Sequence, residues 1–368
     1  MTLRILVVGA GVAGLAAARG LRVAGFRPDV VEALPATMSP GAGIYLPGNA
    51  TRAMRLLGLD VPLRPLGELI FRQVFLDARG RQLFEMDVAA LWAGVGESRV
   101  LSRADLQRVL LTGVGGEVRY DTEVRDLEII DGAAKVEFGN GSIAEYDLVI
   151  GADGRRSTIR EKVGLGGGAV PTGQIVYRSV VSGGPPLTDW TASLGRRSQF
   201  VAMPMGGGKI YVYADETAPD SPNPDDPLKR LQELFGSYGG PVPAILDRME
   251  KVSVARTDEV VLDAWSKGPV VLVGDAAHAT APTLAQGGAM SFEDGYVLGQ
   301  ELRKSEGDIS VALRVFEDRR RPRCTEVRER TRERDRTRDV PPSLRDPMLR
   351  RRGLRIFTDH YRGLVSQV

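Results

Sequence analysis

Leu3-Arg4-Ile5-Leu6-Val7-Val8-Gly9-Ala10-Gly11-Val12-Ala13-Gly14 opens the chain, and its reading decides the fold. Leu3 to Val8 is a mostly apolar run, short enough for a buried parallel strand. After Gly14 comes Leu15-Ala16-Ala17-Ala18-Arg19-Gly20-Leu21, a helical stretch. Between the two lies G-x-G-x-x-G, in the strand–turn–helix context that gives this pattern meaning. Gly9 permits the tight turn, Gly11 lets the backbone approach a pyrophosphate, and Gly14 lets the helix pack close to the strand. Free N–H groups and the positive helix end then face phosphates. Pro28-Asp29-Val30-Val31-Glu32 reads as the next strand. An acid at its end, Glu32, accepts hydrogen bonds from a ribose 2′-OH and repels a 2′-phosphate, which favours FAD or NAD.

A second glycine segment, Gly274-Asp275-Ala276-Ala277-His278, follows the apolar run Pro269–Val273. It places Asp275 at the carboxyl edge of a sheet, where ligands of open α/β sheets lie, within reach of a polyol such as a ribityl chain. Pro282 stiffens the next loop, and Gln286-Gly287-Gly288 opens a helix read as Ala289–Lys304. That helix end, with its free N–H groups, suits the anionic charge of a reduced flavin. A ligand gripped from both ends of a long chain is large, and the pairing points to FAD. His278 reads as a packed, hydrogen-bonded histidine rather than an acid or base.

Composition fits a globular enzyme. The chain has 368 residues, 43% of them hydrophobic, and a formal net charge of only +2, so no global field argues for nucleic acid. No apolar run is long enough for a bilayer. A first strand starting at Leu3 leaves no room for a leader, so the expectation is a cytoplasmic protein with no membrane partner. One cysteine, Cys324, excludes an internal disulfide, and two histidines give no visible metal cluster.

Between the two anchors the texture varies. Gly41-Ala42-Gly43-Ile44 is either a simple loop or backbone lying close to a flat ligand. Ser102 caps a helix with Asp105 completing the box, and Arg103 at its first turn is either solvated or a cofactor contact, since a cation there does not help the helix. Val118–Tyr120, Val124–Ile130 and Ala134–Phe138 read as a β-meander. Gly151-Ala152-Asp153-Gly154 closes another core strand, and Ser157 can cap the helix behind it. From about Gln174 to Ala255, strand-like segments carry most of the tyrosines. Tyr177, Phe200, Met203, Tyr211 and Tyr213 are either core or the roof of a substrate pocket, with Tyr211 and Tyr213 on one side. Arg178 is solvated or pairs with an anionic substrate or a nicotinamide phosphate. The arginine-dense stretch after Leu313 reads as a solvated helix with i,i+4 pairs, followed by an amphipathic helix over 349–365.

Gly9–Gly14 with Glu32, Gly151–Gly154 with Ser157 and Arg160, and Gly274–His278 with Pro282 and Gly287 together resemble the three signatures of class A flavoprotein monooxygenases, the aromatic hydroxylases. The resemblance covers 3–302 and is similar to the compact members without a thioredoxin-like tail. It implies an α/β fold: a Rossmann-like FAD-binding domain with an inserted mixed or antiparallel β-sheet substrate domain and C-terminal helices. The expected bounds are 1–173 and 256–313 for the FAD-binding domain, 174–255 for the substrate domain and 314–368 for the terminal helices.

The cofactor set so assembled is Gly9, Gly11, Val12, Ala13, Gly14, Glu32, Gly43, Arg103, Val124, Asp153, Gly154, Asp275, Pro282, Gly287, Gly288 and Ala289. The resemblance gives Pro282, Gly287 and Gly288 the role of positioning the reacting flavin edge, and makes Asp153-Gly154 serve the incoming nicotinamide as well. Arg178, Phe200, Met203, Tyr211 and Tyr213 form the candidate substrate set. What it implies is NADH- or NADPH-dependent hydroxylation by O2, through a flavin hydroperoxide, of an aromatic or polyketide-like small molecule, by a monomer or homodimer with no metal. The alternatives are an epoxidase or reductase of the same fold, or a flavin-binding protein that sequesters a reactive metabolite without turnover. No side chain is singled out as a general acid or base.

Overall fold

The computed structural model describes residues 3–36, 42–219 and 221–368; Gly41 lies outside them. Ile5–Val8 is buried at all four positions and forms the centre of a six-stranded sheet. Two apolar faces are what a strand covered on both sides requires. The strand order is 266–267, 270–272, 148–151, 5–8, 29–31, 118–119. All pairings are parallel except the short edge strand Ser266–Lys267. Because 5–8, 148–151 and 270–272 run side by side and in the same direction, Gly9, Gly151 and Gly274 emerge at one carboxyl edge.

Helix Val12–Val23 crosses helix Gly287–Lys304 at very close range. A Cβ on Gly20 would collide with the Gly295 carbonyl oxygen, and one on Gly299 with that of Gly20. The absent side chains let the two backbones touch, which brings the first turn of the second helix beside the first. That helix starts at Gly287 rather than Ala289, so both glycines belong to its opening turn.

The meander consists of 124–130, 133–138 and 143–146. Val118–Arg119, expected in it, instead joins the main sheet as its sixth strand, parallel to Asp29–Val31. The amide of Glu32 bonds to the Arg119 carbonyl, and that of Thr122 to the Glu32 carbonyl, so the parallel ladder continues past the strand end.

The second large sheet has seven strands, in the order 253–259, 170–182, 209–217, 198–206, 190–194, 72–77, 82–87. The expected insertion is therefore joined by a hairpin from far earlier in the chain, with Arg72–Asp77 parallel to Trp190–Leu194. One face of this sheet is sealed by helices Pro227–Phe235 and Val242–Leu246 over a separate apolar cluster that includes Tyr177, Phe200, Val212 and Phe235. The other face turns toward the parallel sheet.

Two long helices, Ile309–Arg336 and Pro342–Val365, complete the structure. The first is not the solvated helix expected from its arginines. Arg320 is buried and donates to Asp294 and Glu293, and Arg323 pairs with Glu293, while Arg338, in the 3-10 turn that follows the helix, pairs with Asp215. Arginine suits such ties because its fork matches a carboxylate. No described helix is long and apolar enough to cross a membrane.

Candidate active site

A cavity of about 410 Å³ lies between the carboxyl edge of the parallel sheet and the open face of the seven-stranded sheet. Its first wall is largely main chain. Gly9 has φ +104°, and a Cβ there would come within 2.6 Å of the Ala152 carbonyl oxygen; one on Gly14 would run into the Gly9 carbonyl oxygen. These two glycines let protein meet protein. Gly11 differs: a Cβ there would meet no protein atom within 4 Å, and the residue opens onto the cavity with Val12 and Ala13. It is also the N-cap of its helix, with no side chain bonded to the first-turn amides. Such an end is a ready anion site.

Glu32 sits at the tip of its strand, where its carboxylate accepts from the Ala10 amide at 2.7 Å and the Leu34 amide at 3.0 Å. It does not line the cavity, and neither does Val124, which is buried opposite Phe138 at the start of the meander. Gly43 lines the cavity and packs so tightly on the Tyr211 ring that a Cβ would lie 2.5 Å from it. Arg103 begins helix Arg103–Val114, and Ser102 caps that helix by accepting from the Asp105 amide at 3.0 Å. The Arg103 side chain reaches the cavity, and its buried Nε has no partner among the described residues. Burial, reinforced by nearby Arg178, pulls its guanidinium below the ordinary arginine range. A half-buried cation with an unused, buried donor suits an anionic acceptor such as a phosphate.

Asp275, Pro282, Gly287 and Gly288 close this wall from the far end of the chain. Pro282 opens a short 3-10 turn that ends on Ala285 at φ +54°. Gln286 is pinned next to it by Asn49, whose Nδ2 donates at 2.8 Å. Ala289 is buried behind this turn and does not reach the cavity. Gly154, at φ +83°, lines the cavity, whereas Asp153 turns back to accept from the Ile159 amide at 3.0 Å. Neighbouring Arg155, which the sequence did not single out, lines it and pairs with Asp258 at 2.8 Å.

The Gly274 turn is held from beneath by a buried ionic cluster. Asp294 accepts from the Gly274 amide at 2.9 Å and from Arg320 at 2.8 Å, and it lies 2.7 Å from His278 Nε2. Burial favours the neutral acid, but His278 and Arg320 overcome it and hold Asp294 at about 2. For His278 burial is likewise outweighed, by Cys324 and Asp294, so its pKa stands well above the ordinary value. His278 is thus packed and hydrogen-bonded, as expected. It, Asp294 and Cys324 lie close enough to share a metal ion, but Arg320 already occupies the other Asp294 oxygen and lies 3.7 Å from the Cys324 sulfur.

The opposite wall is made of side chains from the seven-stranded sheet. Phe75, Ala192, Val201, Tyr213 and Arg178 stand opposite one another in a single cross-strand row. Met203 and Tyr211 form the next row on the same face. Met203, Tyr211, Tyr213 and Arg178 all line the cavity. Phe200 does not. Strand residues alternate faces, so Phe200 and Met203 cannot share one, and Phe200 packs against Phe235 on the far side at 5.4 Å between ring centroids. Tyr177 is on that side too, its hydroxyl donating to Glu216 at 2.6 Å. The parity of Met203 belongs to Val201 and Gln199, which do line the cavity, together with Trp190 and Arg334. None of these four was singled out in the sequence. Val201 and Gln199 were accessible from strand alternation; Trp190 and Arg334 reach the site only through long-range packing.

The FAD binding domain family matches residues 2–331. The chain is 32% identical over 324 residues to the aurachin C monooxygenase/isomerase of Stigmatella aurantiaca, covering 86% of this chain and 84% of the relative. It is 31% identical to the 3-hydroxybenzoate 6-hydroxylase of Polaromonas naphthalenivorans, covering 88% and 85%. The crystal structure of Klebsiella pneumoniae HpxO with FAD and uric acid superposes with a TM-score of 0.82 at 27% identity, covering 100% of this chain and 93% of that one. A match across nine-tenths of the sequence, onto a fold whose glycine wall and half-buried Arg103 suit a dinucleotide, leaves one assignment: the chain belongs to the FAD-dependent hydroxylases and monooxygenases of the FAD binding domain family.

Proposed function

We propose that this protein hydroxylates the ring of a small aromatic molecule, drawing electrons from NADH or NADPH and one oxygen atom from O2. The observation that carries this reading is that one cavity is bounded both by the main-chain wall and by the side-chain face of the seven-stranded sheet, so cofactor and substrate would share a single space.

FAD supplies the exchange of electrons with the nicotinamide and the activation of O2, chemistry that no side chain provides. The protein's own residues bind and orient. Gly11 and the uncapped first turn of helix Val12–Val23 receive the pyrophosphate, with Arg103 adding a charge-assisted donor. Asp275 would accept from the ribityl hydroxyls. The amides of Gly287 and Gly288, at the start of the 18-residue helix, would stabilise negative charge on the flavin ring. Across the cavity, Trp190, Val201 and Met203 offer apolar surface for an aromatic ring and exclude water. Burial pushes the Tyr213 phenol well above its usual range, so it stays protonated at neutral pH. Its hydroxyl has no hydrogen-bond partner among the described residues and can donate to a substrate oxygen.

The test is nicotinamide oxidation by the purified flavoprotein, with and without a panel of phenols, aromatic acids and polyketides, with products followed by mass. Hydroxylation requires that at least one compound accelerate oxidation and gain one oxygen. Tightly bound FAD with no stimulated oxidation by either nicotinamide would move the reading to a flavin-binding protein without turnover.

A further inference from the structure

Among the described residues, the arginines that are almost wholly buried are hydrogen-bonded to carboxylates or carbonyls with a single exception; Arg103, only half-buried, is not one of them. Arg320 donates to Glu293 and Asp294, and Arg52 to the carbonyls of Leu364 and Val365. Arg160 donates to those of Arg155 and Ala276, Arg99 to that of Leu66, and Arg345 to those of Leu194 and Gly195. Arg334 is only 8% exposed, yet among the described residues its guanidinium makes no hydrogen bond or ion pair with any carboxylate or carbonyl. Its sequence neighbour Asp335 is engaged elsewhere, accepting from Thr283 and Arg338. The Tyr361 hydroxyl lies close by, and Arg338 adds a like charge.

What does contact Arg334 is aromatic. Its guanidinium carbon stands 4.2 Å from the centroid of Phe357 and 5.9 Å from that of Phe75. Phe75 in turn lies 5.3 Å from Trp190, a lining residue of the cavity, as Arg334 itself is. Stacking fixes the guanidinium plane and leaves its edge, where the N–H donors lie, facing the Tyr361 hydroxyl but bonded to no carboxylate of the described residues.

We propose that Arg334 is the residue that recognises the substrate's charge, and that the aromatic substrate bears a carboxylate which docks on the guanidinium edge beside Trp190. This deepens the hydroxylase reading and rests on it for the cavity being the substrate's. A planar guanidinium binds a carboxylate through paired, charge-assisted hydrogen bonds. A buried cation is costly unless it is compensated, and here the nearby Asp335 is already engaged by Thr283 and Arg338, so no carboxylate of the described residues bonds to the guanidinium. Burial pulls the Arg334 guanidinium below the ordinary range, with Tyr361 opposing and Arg338 reinforcing. A bound carboxylate completes the set. The helix that carries Arg334 also ties down the Gly274 turn through Arg320, so the substrate's charge reads out on an element that braces the cofactor wall.

The experiment uses the FAD-loaded protein and two probes of nearly equal shape, 2-naphthoate and its neutral isostere 2-naphthamide, titrated by flavin absorbance and Trp fluorescence. The proposal expects the wild-type protein to prefer the acid by about tenfold or more. Arg334→Gln and Arg334→Met erase that preference, while Arg334→Lys keeps part of it because the charge remains and the fork is lost. An unchanged flavin spectrum in each variant shows that the fold has survived; a merely structural role would weaken both probes alike. Arg178→Gln serves as the rival cation. No preference for the acid in the wild type, no binding of either probe, a preference that survives Arg334→Gln, or one lost instead in Arg178→Gln, each overturns the assignment. An acid preference that depends on Arg334 in a protein that never oxidises nicotinamide would keep this inference and sink the hydroxylase reading alone.

Discussion

One wall of the cavity is built largely of main chain, and the wall across from it of side chains. On the cofactor side, Gly11, Gly43, Gly154, Gly287 and Gly288 present backbone to the cavity. On the substrate side, Trp190, Val201, Met203, Tyr213 and Arg334 present aromatic, apolar and charged groups. The two arrangements tolerate change differently. A backbone surface depends on having no side chain at given points, and replacing a glycine there either breaks the fold or blocks the ligand. A side-chain surface sits on strands whose far face carries the packing, so its composition can vary while the sheet persists.

The largest effect expected of any substitution separates two glycines within the same motif. Gly14→Val drives a branched side chain into the Gly9 carbonyl and forces helix Val12–Val23 off the sheet. No folded yellow protein should be recovered. Gly11→Ala meets no protein atom, and the residue's φ of −74° suits alanine. Its melting without FAD should stay within about 0.5 kcal/mol of wild type, while FAD affinity falls by about tenfold or more. If Gly11→Ala unfolds the protein as Gly14→Val does, the division into a protein-facing and a ligand-facing glycine is wrong.

The same division explains what the sequence discloses. Gly9 to Gly14 and Gly274 to Gly288 are local patterns, since each carries a strand–turn–helix signature in a short stretch of chain, even where, as at Gly9, the atom that forbids a side chain is the distant Ala152 carbonyl. Reading them placed the parallel sheet, the returning second segment and most of the main-chain wall of the cavity. The substrate wall depends on register between distant strands. Whether Phe200 or Val201 faces the cavity is fixed by pairing with 190–194 and 209–217, and the two readings differ by one residue. The hairpin 72–87 joins the wall's sheet, and Arg334 enters the site, from positions over 100 residues away from the strands they meet. The arginine-dense helix misled for a related reason: its charges look solvated until Glu293, Asp294 and Asp215 arrive from other elements to bury them.

Adjacent residues on one strand should therefore behave oppositely. Phe200→Ala removes a ring packed on Phe235 and should cost about 3–5 kcal/mol in chemical denaturation, with KM for the best substrate little changed. Val201→Leu adds a methylene on the cavity side, shifting stability by about 1 kcal/mol or less while changing KM about tenfold. Should Phe200→Ala alter KM more than Val201→Leu does, the facing of this strand has been read backwards.

The smallest effect expected concerns the place where the main-chain wall borrows a side chain. Arg103 starts its helix, and Ser102 fixes that start by accepting from the Asp105 amide. Ser102→Ala should destabilise by about 1 kcal/mol, and Ser102→Thr should restore most of it. The guanidinium remains present, so FAD release from Ser102→Ala should quicken only about two- to threefold, far less than from Arg103→Gln, which removes the charge itself. Comparing the two release rates asks which part of the helix terminus holds the cofactor. If Ser102→Ala loses FAD as fast as Arg103→Gln, the ordered first turn matters more than the cation, and the cofactor wall is main chain throughout. If the two separate as expected, Arg103 and Arg334 play matching parts: each is a cavity-lining cation that no carboxylate of the described residues bonds to, one to be completed by the cofactor and the other by the substrate.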